Sequence, residues 1–585
     1  MTASQARPTD ADPFLLEILQ KSFDSIADDM ALILIRSSYS GIVRDAMDFS
    51  TGVCDAEGRT LAQGVTIPMH LGSFYDAMRC VIDQYQGKIY PGDVFISNDP
   101  YVAAGVHLPD IYIIKPIFAD DTLVGWGTTI AHHSDVGGIV AGSNSLGAAE
   151  IYQEGLRIPV IKFLERGRRN QAVWDLIATN VRTPDQVLGD LQAQMAAATT
   201  AEREMQQLVG RYGRDEVTRY GEYLHDYAER LARAQLREVP DGTYRFTNHI
   251  DGLGDDPEPI QLTVAVTFAD DQVTVDWTGS SPQVEGGINS PMPFTRSCAY
   301  TAIRSILDQD VPNCYGYTRA ITVTAPPGSI VNPVLPGACG ARGITGYRMI
   351  DCLYGALAQT VPLRVCADGS GGTTLPTISG WRDGRPFVFC ECMMGSSGAA
   401  ATHDGQDGVP HVGANVSNVP VEMVESEHPL RIEQYSLMPD TGGPGKFRGG
   451  MSVVRDYRVL AEKATLNVRS DKRRHRPFGL FGGGRGASSW NILNPGEDQR
   501  ILPVLPMQPI SMEQGDLFHH ITAGGGGYGD PLERDPQYVL EDVMEEKITI
   551  PHAEEHYGVV IRAGDPATID EAATLQRRHQ MENGQ

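Results

Sequence analysis

The chain holds no uninterrupted apolar run near the roughly 18 residues that a membrane-spanning helix requires, so no such span is expected. Positive charge is also in short supply. Against 74 Asp and Glu stand 48 Lys and Arg, a formal net charge of −26. A surface of that sign lacks the cations that displace counterions from phosphates, which argues against non-specific nucleic-acid binding. The acidity is read as serving solubility. The local exception is Asp471-Lys472-Arg473-Arg474-His475-Arg476, a candidate face for an anionic substrate or a partner. Cysteine is sparse and odd in number, nine in 585 residues, with no disulfide framework. Cys390-Glu391-Cys392 is too tight for a structural zinc pair. The cysteines are expected to be reduced and mostly buried. Met1 to Pro8 lacks the basic and apolar regions of a secretory signal, so the expected compartment is the cytoplasm.

Nucleotide motifs are missing too. Gly442-Gly443-Pro444-Gly445-Lys446-Phe447 has no Ser or Thr after its lysine and not the spacing of a phosphate-cradling loop. Phe481-Gly482-Gly483-Gly484-Arg485-Gly486 and Gly524 to Gly527 lack the following helix and distal acid of a dinucleotide fingerprint. The glycines are read as permitting tight turns or close backbone approach.

What is present is a long chain, 41% hydrophobic, more than one core usually organises. Hydrophobic periodicity predicts a helix over Pro13 to Ser37 and another over Phe74 to Gln86. Strands dominate 40–165. Residues 184–239 read as helical, interrupted at Gly210 and Gly213, which predicts two helices in an antiparallel pair. Alternating strands follow at Thr243–Thr247, Ile260–Val266 and Gln272–Trp277, and helices near Ser297–Gln309 and Gly346–Leu357. Strands and Gly-rich loops fill 375–530, with a tail helix near Tyr538–Glu546. The expected class is α+β, a mixed multi-domain architecture with several β-sheets. Expected units are 1–183, an N-terminal region with a candidate metal site; 184–240, a helical hairpin; 241–374, a β-rich middle; and 375–585, a Gly-rich β region with the tail helix.

The residues that point to chemistry lie around one predicted hairpin. Alternating residues Ile111 to Phe118, a polar turn at Ala119-Asp120-Asp121 and a second run Leu123 to Ile130 read as antiparallel strands. His107-Leu108-Pro109-Asp110 precedes the first strand and His132-His133-Ser134-Asp135 follows the second. The open ends of a hairpin lie side by side, so His107, Asp110 and His132 should converge. Two imidazoles and a carboxylate can hold a divalent metal with positions left open. Asp48 stands at the open end of another hairpin and is a fourth ligand candidate; His70 could face the same site. His133, adjacent to His132 in a strand, should point the other way.

In these segments the chain resembles the B-type subunits of N-methylhydantoinases and the 5-oxoprolinases, with relatives among ATP-dependent lactamases and acetone and acetophenone carboxylases. The resemblance runs through Asp48-Phe49-Ser50, Ile67-Pro68-Met69-His70-Leu71-Gly72-Ser73, Gly92-Asp93-Val94 and Asn98-Asp99-Pro100. It continues at His107 to Asp110, His132 to Gly138, Glu154-Gly155-Leu156-Arg157-Ile158-Pro159, Pro444 to Gly450 and Thr522 to Pro531.

The resemblance implies a separate A-type subunit that binds and cleaves ATP with Mg, most simply in an A₂B₂ assembly. It implies that this chain acts on the activated molecule through a metal site. With the hairpin geometry, it implies Asp48, His107, Asp110 and His132 as ligands of zinc, manganese or iron. Asp135 and His133 would orient them, and His70 or Asp99 would serve as acid/base or positioning groups. Asp99 has an equally good reading as a cap for the turn at Pro100. Three functions follow: ring opening of a hydantoin, oxoproline or lactam; carboxylation of a ketone; or a mainly scaffolding subunit.

Overall fold

A computed structural model of the chain describes residues 11–64, 67–70, 72–564 and 566–583. The stretch Met1 to Pro8 and Leu71 of the 67–73 motif lie outside the described residues. The architecture is α+β, with several sheets whose pairings are mostly antiparallel. No helix among the described residues is long and apolar enough to cross a membrane.

The first sheet has seven strands: β1 (Phe49–Cys54), β2 (Thr60–Gln63), β3 (Val94–Ser97), β4 (Asp110–Ala119), β5 (Thr122–His132), β6 (Ile161–Glu165) and β7 (Arg168–Arg169). Their order is β2-β1-β5-β4-β3-β6-β7. The β4/β5 hairpin predicted from alternation is its centre, buried along most of its length.

Helix α1 (Pro13–Ser37) starts where Asp12 caps Phe14 N and Pro13 opens the first turn. It lies against β1, where Thr51 Oγ1 donates to the Ala27 carbonyl at 2.9 Å. Helix α2 (Pro184–Tyr212) and helix α3 (Arg214–Leu236) meet at Gly213, whose φ of +87° breaks the run. Gly210, the other expected interruption, stays inside α2 with open space around it. Nor is α2 chiefly a partner for α3. It lies on the sheet, with Gln194 Nε2 donating to the Ile111 carbonyl at 2.9 Å. Its small residues Ala193, Ala197, Ala198 and Ala201 are buried and permit that close approach.

A four-stranded sheet from Gly242–Ile250, Ile260–Ala269, Gln272–Asp276 and Ile321–Thr324 follows, its last pairing parallel. The expected helices appear at Met292–Ile306 and, as α4, at Gly343–Leu357. Every residue of α4 is buried, including Arg348 and Asp351, so it is a core helix whose polar groups need partners in the protein. The C-terminal region forms a four-stranded and a five-stranded sheet. The tail helix spans Pro536–Met544.

The Gly-rich loops meet in one layer. Gly524 to Gly527 donate in turn to the carbonyls of Ala487, Gly450, Asp368 and Gly484, at 2.8–3.1 Å. Gly443, Ala399 and Leu480 donate back to Gly525, Gly526 and Gly527. A Cβ on Gly526 would sit 2.0 Å from the Phe478 carbonyl oxygen. These glycines serve close backbone approach.

Candidate metal centre

The site grows from the register of the central hairpin. Asp110 on β4 pairs directly with His132 on β5, and His132 N donates to the Asp48 carbonyl at 3.0 Å. His107 lies three residues before Asp110, in the loop feeding β4. The result is a triangle: His107 Nε2 is 3.0 Å from Asp110 Oδ1, and His132 Nδ1 is 3.2 Å from each. His70 closes in from another side, its Nε2 3.5 Å from Asp110 Oδ2 and its Nδ1 3.1 Å from Ser50 Oγ. Two triads, His107–Asp110–His132 and Asp48–His70–Asp110, have ligand atoms close enough to hold an ion. All five side chains are buried.

The protonation pattern tests whether a cation fits. His107 Nδ1 lies 2.7 Å from the Gly340 carbonyl, which can only accept, so Nδ1 carries the proton. Burial and the nearby Arg342 charge hold His107 neutral, its pKa down to about 3. Its Nε2 lone pair therefore faces a carboxylate oxygen at 3.0 Å, two acceptors that need something positive between them. Burial would raise Asp110, but the Arg342 charge and the hydrogen bond from His132 outweigh it and hold the carboxyl well below the usual range. Burial disfavours charge on His132 as well. Hydrogen bonds to Asp110 and Cys390 and the charge of Asp48 overcome that and pull it up to about 10. Without a cation the cluster recruits a proton onto His132. Atoms at these spacings also suit a shared ion about 2.0–2.2 Å from each. The residues fit a divalent metal.

The rest of the cavity comes from distant segments: Ile67 and Met69; Phe294; Arg342, Gly343 and Tyr347 around the start of α4; and Cys392, Val416 and Arg469. Arg342 pairs with Asp110 Oδ2 and lies over the Phe294 ring, 4.2 Å from its centroid. The segment carrying Arg342 is fixed by Glu154, whose carboxylate accepts Cys339 N at 2.9 Å and Gly340 N at 2.5 Å. Glu154 thereby holds the peptide whose carbonyl orients His107. Its own pKa is pushed up to about 8, burial outweighing those two hydrogen bonds. Arg342, Tyr347, Cys392 and Arg469 escape a reading of the sequence that looks only near the hairpin. Glu154 sits in one of the blocks that carry the family resemblance, and an acid inside such a block is the signal that could have found it.

The remaining sequence candidates are not brought into the triangle. Asp99 accepts from Tyr101 N and Val102 N and pairs with Arg157 at 2.7 Å, the geometry of a turn cap. Asp135 accepts from Gly137 N, Gly142 N and Arg182, organising the loop after β5. His133 points to the opposite face, 3.0 Å from Gln194 Oε1 on α2, as alternation along a strand requires. The side-chain partners of all three lie outside the cluster. The basic run also differs from its expectation: Lys472 is wholly buried and bound by Asp351, Asp368 and the Gly369 carbonyl.

Comparison with known proteins extends the geometry to the whole chain. The family model described as hydantoinase B/oxoprolinase matches residues 12–531. The B component of a putative D-/L-hydantoinase from Pseudomonas sp. (strain NS671) is 34% identical over 584 residues, covering 97% of this chain and 98% of that one. Among solved structures, the ATP-dependent caprolactamase from Pseudomonas jessenii superposes with a TM-score of 0.90 at 30% identity, over 98% of this chain and 100% of that one. A nucleotide-free acetone carboxylase shares the fold, with a TM-score of 0.91 at 20% identity, over 98% of this chain and 83% of that one. With this end-to-end match, the chain belongs to the hydantoinase B/oxoprolinase family.

Proposed function

We propose that this chain is the metal-binding subunit of an ATP-dependent cyclic-amide hydrolase that opens a hydantoin, 5-oxoproline or lactam ring. It works with an ATP-cleaving A-type subunit, which holds Mg, in an A₂B₂ assembly in the cytoplasm. The observation that carries the reading is the buried triangle of His107, Asp110 and His132, in a chain that matches hydantoinase and caprolactamase proteins along its length. Nine free cysteines, most of them buried, suit a reducing compartment.

Asp48, His107, Asp110 and His132 are assigned as ligands of a zinc, manganese or iron ion. When bound, such an ion supplies Lewis acidity and lowers the pKa of water. The protein's own contribution is order. Gly340 fixes the His107 tautomer, leaving Nε2 free as a donor atom. Arg342 steadies the second oxygen of Asp110. The buried walls exclude bulk water. His70 is the acid/base group of this reading, since it lines the same cavity with its Nε2 3.5 Å from Asp110. Asp99 and Asp135 are assigned to their loops.

The test is elemental analysis of the chain co-purified with its partner, as wild type and His107→Ala, followed by ATP-coupled ring-opening assays. About one metal ion per chain is expected, lost in the variant together with turnover. A strict requirement for bicarbonate would move the assignment to a ketone carboxylase. An Asp110→Asn variant that loses its partner as readily as its activity would make the chain a scaffold.

A further inference from the structure

One cation in the cavity makes no ion-pair contact among the described residues. Arg469 ends the Lys463–Arg469 strand, is 5% exposed and lines the cavity together with the metal-ligand candidates. Its Nε and Nη1 have no hydrogen-bond partner among the described residues. The contact it does make is soft, to the Cys392 thiol. Arg342, the other guanidinium there, is paired with Asp110. Leaving a buried guanidinium with unmatched donors and no ion pair is costly, and an acceptor from outside the chain would remove that cost.

The local backbone is shaped around this side chain. A Cβ on Gly343 would lie 2.8 Å from Arg469 Nη1, so glycine lets the guanidinium rest against the first turn of α4. The positive end of a 15-residue helix adds to the field there. The charge count agrees. Asp48 and Asp110 balance Arg342 and Arg469, so a divalent ion leaves an excess of positive charge that favours an anion.

We infer that Arg469 is an oxyanion-binding residue beside the metal centre, receiving a carboxylate or phosphoryl group of the substrate through its free Nε and Nη1 donors. The inference rests on the metal reading for its setting, but not for the donors themselves. The planar fork of a guanidinium matches either oxyanion. Two sources offer that chemistry: a carboxylate carried by the ring substrate, or the phosphoryl group placed on it by the ATP-cleaving partner.

The experiment titrates inorganic phosphate and, separately, acetate into the metal-loaded complex of this chain and its partner. Wild type, Arg469→Gln and Arg469→Lys are compared by calorimetry, with metal content measured on each sample. The expected result is full metal content in all three and anion affinity at least about tenfold weaker in Arg469→Gln. Arg469→Lys, which keeps the charge but not the fork, should fall between. Preference for phosphate names the phosphoryl group, and preference for acetate the substrate carboxylate. Equal anion binding in all three, or none in wild type, overturns the inference while the metal reading stands. Absence of metal from wild type overturns the metal reading, and the same anion comparison still decides the role of Arg469. If Arg469→Gln does not fold, wild type against Arg469→Lys carries the comparison.

Discussion

Helix α4 contributes to two buried charged clusters that differ in one respect. In one, Lys472 Nζ reaches Asp351 at 2.6 Å, Asp368 at 2.5 Å and the Gly369 carbonyl, and His411 Nε2 lies 2.8 Å from Asp351. Arg348 Nε donates to Asp471 at 2.6 Å and its Nη2 to the His475 carbonyl at 2.8 Å. The donors of Lys472 and Arg348 are matched. In the other cluster, around the hairpin ends, Arg342 Nε, and Arg469 Nε and Nη1 lack partners among the described residues. Both clusters are equally dry and comparably charged. The site differs from the network in the spare donors of its own cations, although buried donors such as Arg455 Nε and Nη1 are open elsewhere as well.

That contrast can be broken by mutation. The largest effect is expected from Lys472→Met. It removes the cation shared by Asp351 and Asp368, leaving only His411 and Arg348 beside them, and should cost about 3–5 kcal/mol in chemical unfolding. A loss below about 1 kcal/mol would erase the distinction. His107→Ala should do the opposite, abolishing metal binding in elemental analysis while lowering the stability of the metal-free chain by no more than about 1–2 kcal/mol. Glu154→Ala removes the acceptor for Cys339 N and Gly340 N and loosens the carbonyl that orients His107. Metal affinity measured by competition with a chelator should fall about tenfold.

The smallest effect concerns pH. Glu154 has a pKa of about 8 in the folded chain, above the ordinary carboxyl value of 4.5. The folded state therefore holds this proton more tightly than the unfolded state. Its contribution to stability is complete below about pH 4.5 and is lost as pH rises toward 8. Glu154→Gln removes the titrating group, at the loss of one of the two accepted N–H bonds, and should flatten that part of the melting-temperature profile. An unchanged slope would show that the decline arises elsewhere.

Part of the site is legible from residue order. Alternation from Ile111 to Ile130 identifies the hairpin, and hairpin geometry brings His107, Asp110 and His132 together. Asp48 follows from the same logic on β1. The rest depends on contacts with no local pattern. Arg342, Cys392 and Arg469 reach the cavity from segments far along the chain, and each is unremarkable among its sequence neighbours. Lys472 misleads for a related reason. A basic run reads as a face for an anionic substrate or a partner until the acids that neutralise Lys472, Asp351 and Asp368, are seen arriving from elsewhere. The helical pair is legible in the sequence, but Gly210 interrupts the pattern without breaking a helix, and α2 also covers the β4/β5 face.

The glycine layer has a consequence for inheritance. Gly526 donates to the Asp368 carbonyl, so the threaded backbones also anchor the Lys472 network. With a neighbouring carbonyl 2.0 Å from where a methyl would go, even alanine at Gly526 is excluded by space. Codons in this layer are constrained by the distance between two backbones, not by any reaction. A random-mutagenesis screen for lost activity should collect hits here as readily as in the cavity, and most of those hits would say nothing about chemistry.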